Sequence, residues 1–142
     1  HLAGVPLKPE TAKRLHLLYL AKGALATTAI EGNTLTEEEA IKRVEGKLDL
    51  PASKEYLGRE IDNIVKACNG ILAEIEAGTS IEISPVRIQA FNRQVLERLP
   101  LRDEVSLGAI RTYAVGVAAY RGAPAEDCEF LLARLCEWLT GP

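Results

Sequence analysis

The sequence predicts an all-α fold with one small β-hairpin. Apolar residues recur at helical spacing over most of the 142 residues, Gly and Pro separate these stretches, and only the stretch before Gly122 alternates apolar and small residues. A chain of this length can bury a core of its own. No apolar run reaches the roughly 18 residues that a membrane span needs. The net charge of −3 offers no basic surplus for nucleic acid, so we expect neither membrane nor nucleic acid as a partner.

Capping signals and periodicity predict four helices before residue 100. Thr36 with Glu39 forms a capping box, and Ser84 is an N-cap followed by Pro85 at the first helical position. The first helix carries apolar residues on more than one face, and the third is the clearest amphipathic helix. The predicted helices span about residues 9–30, 37–44, 56–75 and 85–99.

The residues after Pro100 predict a hairpin and a final helix. Tyr113, Val115 and Val117 alternate with small residues, which indicates a short strand or a plain hairpin, although the alanines weaken the pattern. Proline at position 124 starts the last helix. Its buried face would consist of Cys128, Leu131, Leu132, Leu135, Cys136 and Leu139.

Cysteine and histidine spacing argues against a metal or catalytic site. Cys68, Cys128 and Cys136 are too few for a disulfide framework, fit a reducing cytoplasm, and lie on apolar faces as small buried hydrophobes. The chain has no CxxC or HxxxH spacing, so we expect no zinc site. Neither histidine is placed near a nucleophile, and no glycine-rich phosphate loop is present. We therefore predict no catalytic residue and no metal ligand.

The segment from Ala26 to Thr36 stands out. Thr27 and Glu31 are four residues apart, so a helix would place a hydroxyl and a carboxylate on one face, where both could accept bonds from a cation. In the alternative interpretation, Thr27 is an ordinary helical residue and Glu31 a solvated charge before a Gly32–Asn33 cap. Spacing alone favours this alternative.

The same segment resembles the (S/T)xxxE(G/N) inhibitory motif of the Fic family of protein adenylyltransferases, in its common bacterial form. The match consists of Thr27, Glu31 and Gly32, flanked by Ile30 and Asn33. Residues 46–63 are similar to the region that follows this motif, and residues 108–127 to the Fic flap and the start of the next helix. The resemblance covers about residues 6–142.

The resemblance implies a division of the chain. Residues 1–100 would be the Fic N-terminal domain with an inhibitory helix at about 9–31. Residues 101–142 would begin the Fic core, with the flap hairpin at about 107–122 and a helix at 124–140. The family's catalytic HxFx(D/E)GNGRxxR loop is missing and would lie beyond Pro142. We therefore expect a Fic-type helical bundle fragment that is inactive alone and binds no cofactor by itself.

The resemblance also implies a function for the full-length protein: transfer of AMP from ATP, with Mg²⁺, to a protein hydroxyl. Glu31 would bind the arginine that otherwise holds the ATP γ-phosphate, Thr27 would steady the helix end, and Gly32 would permit the turn. The flap would dock an extended segment of the target protein by strand addition. Its candidate edge is Arg111, Thr112, Tyr113, Ala114, Val115, Gly116 and Val117. Expected partners are the remainder of the Fic core and a target protein, with a homodimer left open.

Two other functions remain open from the sequence. One is a free-standing antitoxin that carries the same motif and silences a separate Fic toxin. The other is a plain helical interaction module. Such antitoxins are expected to be shorter and to lack the flap, so the presence of residues 107–124 favours the adenylyltransferase fragment.

Overall fold

A computed structural model describes residues 6–141 and confirms an all-α class with one small hairpin. Contacts divide the chain into two compact units, and the division falls between Cys68 and Asn69, within the third helix. The division near residue 100, which rests on the family resemblance, stays a prediction. The described elements are α1 (Pro9–Ile30), α2 (Glu37–Val44), α3 (Glu55–Glu76), α4 (Pro85–Val95), β1 (Gly116–Val117), β2 (Tyr120–Arg121) and α5 (Cys128–Thr140). Two short 3₁₀ turns are Ala52–Lys54 and Ala125–Asp127.

The core of the first unit forms where α1, the segment before α2, and α3 meet. Its buried members are Ala24, Leu35, Leu57 and Ile61. The predicted capping box is confirmed: the Glu39 amide donates to the Thr36 hydroxyl at 3.2 Å, and the Thr36 amide donates to a Glu39 carboxylate oxygen at 2.8 Å. The cap sets where α2 begins, because it satisfies amides that have no partner within the helix.

An ion cluster joins α2 to α3. The Arg43 guanidinium donates to both oxygens of Asp62, at 3.0 and 3.1 Å from Nε, and to a Glu55 oxygen at 2.8 Å from Nη2. Its bond to Arg43 lowers the pKa of Glu55, and the two carboxylates raise the pKa of Arg43. Gly58 makes room for this cluster, because a Cβ there would lie 2.9 Å from Arg43 Cζ.

The second unit begins in α3 and includes α4, the hairpin and α5. Arg87 of α4 pairs with Glu74 of α3 at 2.5 Å and lies over the Phe91 ring, 5.1 Å from its centroid. The Gly108 amide donates to Asn92 Oδ1 at 2.9 Å. Gly108 is buried with a φ of +66°, and a Cβ there would lie 2.7 Å from the Gln89 carbonyl oxygen. Glycine is therefore required where the segment after α4 returns along that helix.

Two helix boundaries in the structure differ from the sequence prediction. Periodicity predicts a fourth helix as far as Leu99, but α4 ends at Val95, and Arg98 then takes a left-handed φ of 58°. No glycine marks this turn, so the sequence pattern does not reveal it. The final helix is predicted from Pro124 but begins at Cys128, because a 3₁₀ turn takes up Ala125–Asp127.

The predicted burial of the cysteines is correct only for Cys136. Cys68 is exposed and Cys128 is half-buried. On α3 the neighbouring Ala67 takes the buried position, which leaves Cys68 outside. The predicted buried face of α5 is also wrong in extent, since Leu131, Leu135 and Leu139 remain exposed. α5 contacts α4, and Cys136 is its one buried residue among those described.

Candidate functional site

The motif residues form the C-terminal end of α1. Gly32 takes a left-handed φ of +97°, which confirms it as the residue that ends the helix. The Asn33 amide donates to the Thr28 carbonyl at 3.0 Å, and the Gly32 amide donates to the Ala29 carbonyl at 3.1 Å. This pair of bonds defines a Schellman motif. Glu31 is the C-cap residue, one position before the turn.

Asn33 fastens this turn to the rest of the first unit. Its side chain is buried, and its Nδ2 donates to the Leu57 carbonyl at 2.9 Å and to Glu60 Oε2 at 2.8 Å. Its Oδ1 accepts from the Leu35 amide at 3.0 Å. The backbone just after Glu31 is therefore held in place by three hydrogen bonds, two of them to α3.

The Glu31 side chain is exposed. Among residues 6–141 its carboxylate has no ion-pair or hydrogen-bond partner. The last turn of α1 contains no basic residue. A carboxylate at the negative end of a helix dipole is unfavourable, so stability of α1 does not explain the residue. The geometry instead presents a negative charge to solvent from a fixed backbone position.

Ile30 enlarges this exposed surface, because its side chain is 84% exposed immediately before Glu31. A large apolar side chain beside an exposed carboxylate provides contact area next to a charge. That combination can receive the stem and head group of a long cationic side chain such as arginine.

Thr27 does not bind Glu31. Its hydroxyl donates to the Gly23 carbonyl at 2.9 Å, within α1. The buried threonine is Thr28, whose hydroxyl donates to Leu25 O at 3.3 Å and whose carbonyl accepts both the Glu31 and Asn33 amides at 3.0 Å. Sequence reasoning missed Thr28 as a turn residue; its position five residues before Asn33 was the available signal.

The predicted flap is a short antiparallel hairpin. Gly116 pairs with Arg121 and Val117 with Tyr120, around a loop of Ala118 and Ala119. The Gly122 amide donates to the Val115 carbonyl at 2.9 Å and extends the ladder by one bond. Of the candidate docking edge, only Gly116 and Val117 form a strand. Alternation over residues 113–119 overstated the strand because small side chains give a two-stranded ribbon little to pack.

Arg111 holds the base of the hairpin together. Its Nη1 donates to the Tyr113 carbonyl at 2.6 Å, and its Nη2 donates to the Ala123 carbonyl on the returning arm. Val117 and Tyr120 at the tip are 78% and 74% exposed. A cleft of about 660 Å³ follows the hairpin and is lined in part by Thr112, Ala114, Val115, Gly116 and Glu126.

The predicted site residues fall into two groups, one in each unit. Thr27, Ile30, Glu31, Gly32 and Asn33 share one helix end in the first unit. The seven candidate flap residues lie in the second unit, before and within the hairpin.

The sequence matches no protein-family model, no curated protein and no solved structure. What the fold and sites define is a class: a mostly helical protein with an exposed acidic helix end and a small exposed hairpin. Within residues 6–141, no helix has the length and apolarity needed to cross a membrane. The same residues contain no group of three His, Cys, Asp or Glu that could hold a metal ion.

Proposed function

We propose that this chain is the regulatory and target-docking part of a Fic-type protein adenylyltransferase. In this proposal Glu31 inhibits transfer of AMP from ATP, because it binds the arginine that would otherwise hold the ATP γ-phosphate. The observation that carries the proposal is the exposed Glu31 carboxylate, which has no partner among residues 6–141, on an anchored helix end.

The chemistry of this contact suits inhibition. An arginine and a carboxylate can form a bidentate pair, and a hydrogen bond to a charged group contributes about 1.5–3 kcal/mol net. The same carboxylate repels a γ-phosphate through like charge. The Schellman motif and Asn33 fix the Glu31 backbone before the arginine arrives, so binding has to order only the side chain.

The neighbouring motif residues have supporting parts in the proposal. Gly32 provides the left-handed turn that ends α1 directly after Glu31. Thr27 steadies the last turns of α1 through its bond to the Gly23 carbonyl. Thr27 therefore acts as a positioning residue for the helix end and makes no direct contact with Glu31.

The hairpin serves target docking in the same proposal. A two-stranded ribbon has free main-chain groups on its outer edges, and an extended target segment can pair with them. The exposed Val117 and Tyr120 side chains would contact the side chains of that segment. Arg111 keeps the two arms together and so keeps the edge in place.

In this proposal the binding of ATP and Mg²⁺ and the catalytic step belong to the rest of a Fic core. ATP and Mg²⁺ would be held by the remainder of the Fic core, which is also the intramolecular partner of Glu31. The target is a protein with an exposed hydroxyl. We assign the protein to the cytoplasm, in agreement with three free cysteines.

The test begins with the coding sequence after Pro142. We expect it to continue into the HxFx(D/E)GNGRxxR loop, and a stop codon directly after Pro142 would contradict the proposal. In the full-length protein, Glu31→Gly should raise incorporation of labelled AMP into protein. Glu10→Gly is the matched control, since Glu10 lies on the same helix about 30 Å away and should leave incorporation unchanged. Equal incorporation by wild type and Glu31→Gly would refute the inhibitory role.

A further inference from the structure

A row of exposed residues runs along α1 on the side away from the core. Its members are spaced alternately by four and three residues, which is the heptad spacing of helices that pair in coiled coils. All six are exposed, including Tyr19 at 70% and Ile30 at 84%. We call this set the outer stripe; it consists of Ala12, His16, Tyr19, Gly23, Ala26 and Ile30.

No contact among residues 6–141 explains why position 23 of the outer stripe is a glycine. It lies in the interior of a 22-residue helix, where glycine is less favourable than alanine. A Cβ at this position would meet nothing within 4 Å, so no neighbouring group requires the glycine. The missing side chain leaves a shallow gap on the exposed surface, one helical turn from the exposed Tyr19.

We propose that the outer stripe is the contact surface for a second copy of this chain, with the two α1 helices antiparallel. When the helices are paired about their midpoint, Tyr19 of one copy lies opposite Gly23 of the other. In the same register Ile30 lies opposite Ala12, and His16 lies opposite Ala26. Each larger side chain therefore faces a small one, as close helix packing requires.

A parallel arrangement lacks this size match. It places Tyr19 against Tyr19, so two large side chains compete for the same space. It also places Gly23 opposite Gly23, where no side chain fills the space between the helices. The complementary register therefore selects the antiparallel dimer.

Charge complementarity also favours a second copy in the antiparallel sense. Lys13 near the start of α1 and Glu31 at its end lie on the same flank of the outer stripe, and the last turn contains no basic residue. Antiparallel helices bring the basic start of one copy beside the acidic end of the other, and their dipoles oppose each other favourably. The inference rests on α1 alone, and in the dimer the start of one helix covers Ile30 and Glu31 of the other, so the dimeric form would not leave Glu31 free for the arginine of the proposed function.

Sedimentation velocity of the 142-residue chain over a range of concentrations tests the dimer. We expect a species of twice the 15.4 kDa chain mass to form as concentration rises. Gly23→Leu should weaken association by about ten-fold or more, because the leucine fills the space that Tyr19 of the other copy needs. Since that space is open within one chain, circular dichroism should show Gly23→Leu folded.

Gly70→Leu is the matched control. Gly70 is also an exposed glycine inside a helix, and a Cβ added there would meet nothing within 4 Å, so its variant should associate like wild type. A wild-type chain that stays monomeric at all concentrations overturns the proposal. Equal association by Gly23→Leu and wild type overturns it as well.

Cross-linking tests the orientation, in a Cys68→Ser background that removes the exposed native thiol. A chain with Ala12→Cys mixed with a chain with Ile30→Cys should give a mixed disulfide on oxidation. Ala12→Cys alone should not cross-link, because the two copies of that position would lie about 27 Å apart at 1.5 Å per residue. Disulfides between two Ala12→Cys chains would instead show a parallel pair and overturn the antiparallel assignment.

Discussion

At the scale of single residues, Asn33 and Glu31 differ in burial and in hydrogen bonding. Asn33 is buried with three hydrogen bonds, and Glu31, two residues earlier, is exposed and has no partner among residues 6–141. The first residue stabilises the fold, whereas the second presents a charge that the fold does not use. A substitution that removes the Asn33 side chain should therefore lower the free energy of unfolding, whereas one that removes the Glu31 charge should not.

Asn33→Ala should lower the free energy of unfolding by about 2–3 kcal/mol. The substitution leaves the Leu57 carbonyl and the Leu35 amide without the bonds that Asn33 supplies in a buried region. Urea unfolding followed by circular dichroism measures the change. Thr34→Ala, at the exposed neighbouring position, should change it by less than about 0.5 kcal/mol. Equal losses in the two variants would contradict the anchoring role of Asn33.

Charge reversal at the two ends of α1 should have opposite effects on stability. Glu31→Lys places a positive charge at the negative end of the helix dipole and should raise the free energy of unfolding by about 0.5 kcal/mol. Glu10→Lys, in the first turn, should lower it by a similar amount. Thermal melts at low ionic strength measure both. A loss of stability in Glu31→Lys would mean that the chain itself uses this carboxylate.

At the scale of elements, the starts of α2 and α4 were predictable, whereas the start of α5 and the end of α4 were not. The Thr36 and Ser84 caps are local signals, so the starts of α2 and α4 follow from neighbouring residues. The end of α4 has no glycine signal, since Arg98 itself adopts the left-handed conformation. Arg111 joins the two arms of the hairpin through a bond to the Ala123 carbonyl twelve residues away, and no local pattern specifies that bond.

Two glycines of α3 should respond oppositely to alanine. Gly58→Ala should lower the free energy of unfolding, because its Cβ would displace the Arg43 guanidinium and the Leu50 methyl, each 2.9 Å away. Gly70→Ala meets open space and should raise it by up to about 1 kcal/mol through helix propensity. Chemical denaturation of both variants measures this contrast. Stabilisation by Gly58→Ala would contradict the tight fit around Arg43.

The ion cluster between α2 and α3 predicts a dependence of stability on pH. The pKa of Glu55 in the folded chain is below its ordinary value of 4.5, because Arg43 donates to its charged form. Its contribution is therefore present above about pH 4.5 and is lost as pH falls through the lower folded pKa. Wild type should be more stable than Glu55→Gln at pH 7, and the difference in urea midpoint should shrink by about pH 3. A difference that stays constant with pH would contradict this account.

At the scale of the whole molecule, much of the apolar surface remains exposed. Leu131, Leu135 and Trp138 of α5 are exposed, as are Tyr19 and Ile30 of α1. Periodicity correctly indicated more than one apolar face on the first helix, but it could not tell which face the chain covers. Burial depends on which elements pack together, and a single helix pattern does not contain that information.

The candidate site was predictable only in part, because a sequence motif contains local residues and not the contacts between elements. Thr27, Glu31 and Gly32 are close in sequence, so a motif identifies them. The anchors of the turn are not, since Asn33 binds α3 residues 24 and 27 positions later. The sequence therefore indicates which residues form the motif, and the structure adds which contacts hold the end of α1 in place.

We propose above all that Glu31 competes with the γ-phosphate of ATP for an arginine. The most direct measurement is calorimetric titration of the full-length protein, as wild type and as Glu31→Gln, with Mg²⁺–ATP and with ADP. We predict that Glu31→Gln binds ATP about ten-fold or more tightly than wild type, in line with loss of a charge-assisted pair. ADP, which has no γ-phosphate, should bind both proteins with similar affinity. Equal ATP affinity in the two proteins, or an equal gain for ATP and ADP, would contradict the claim.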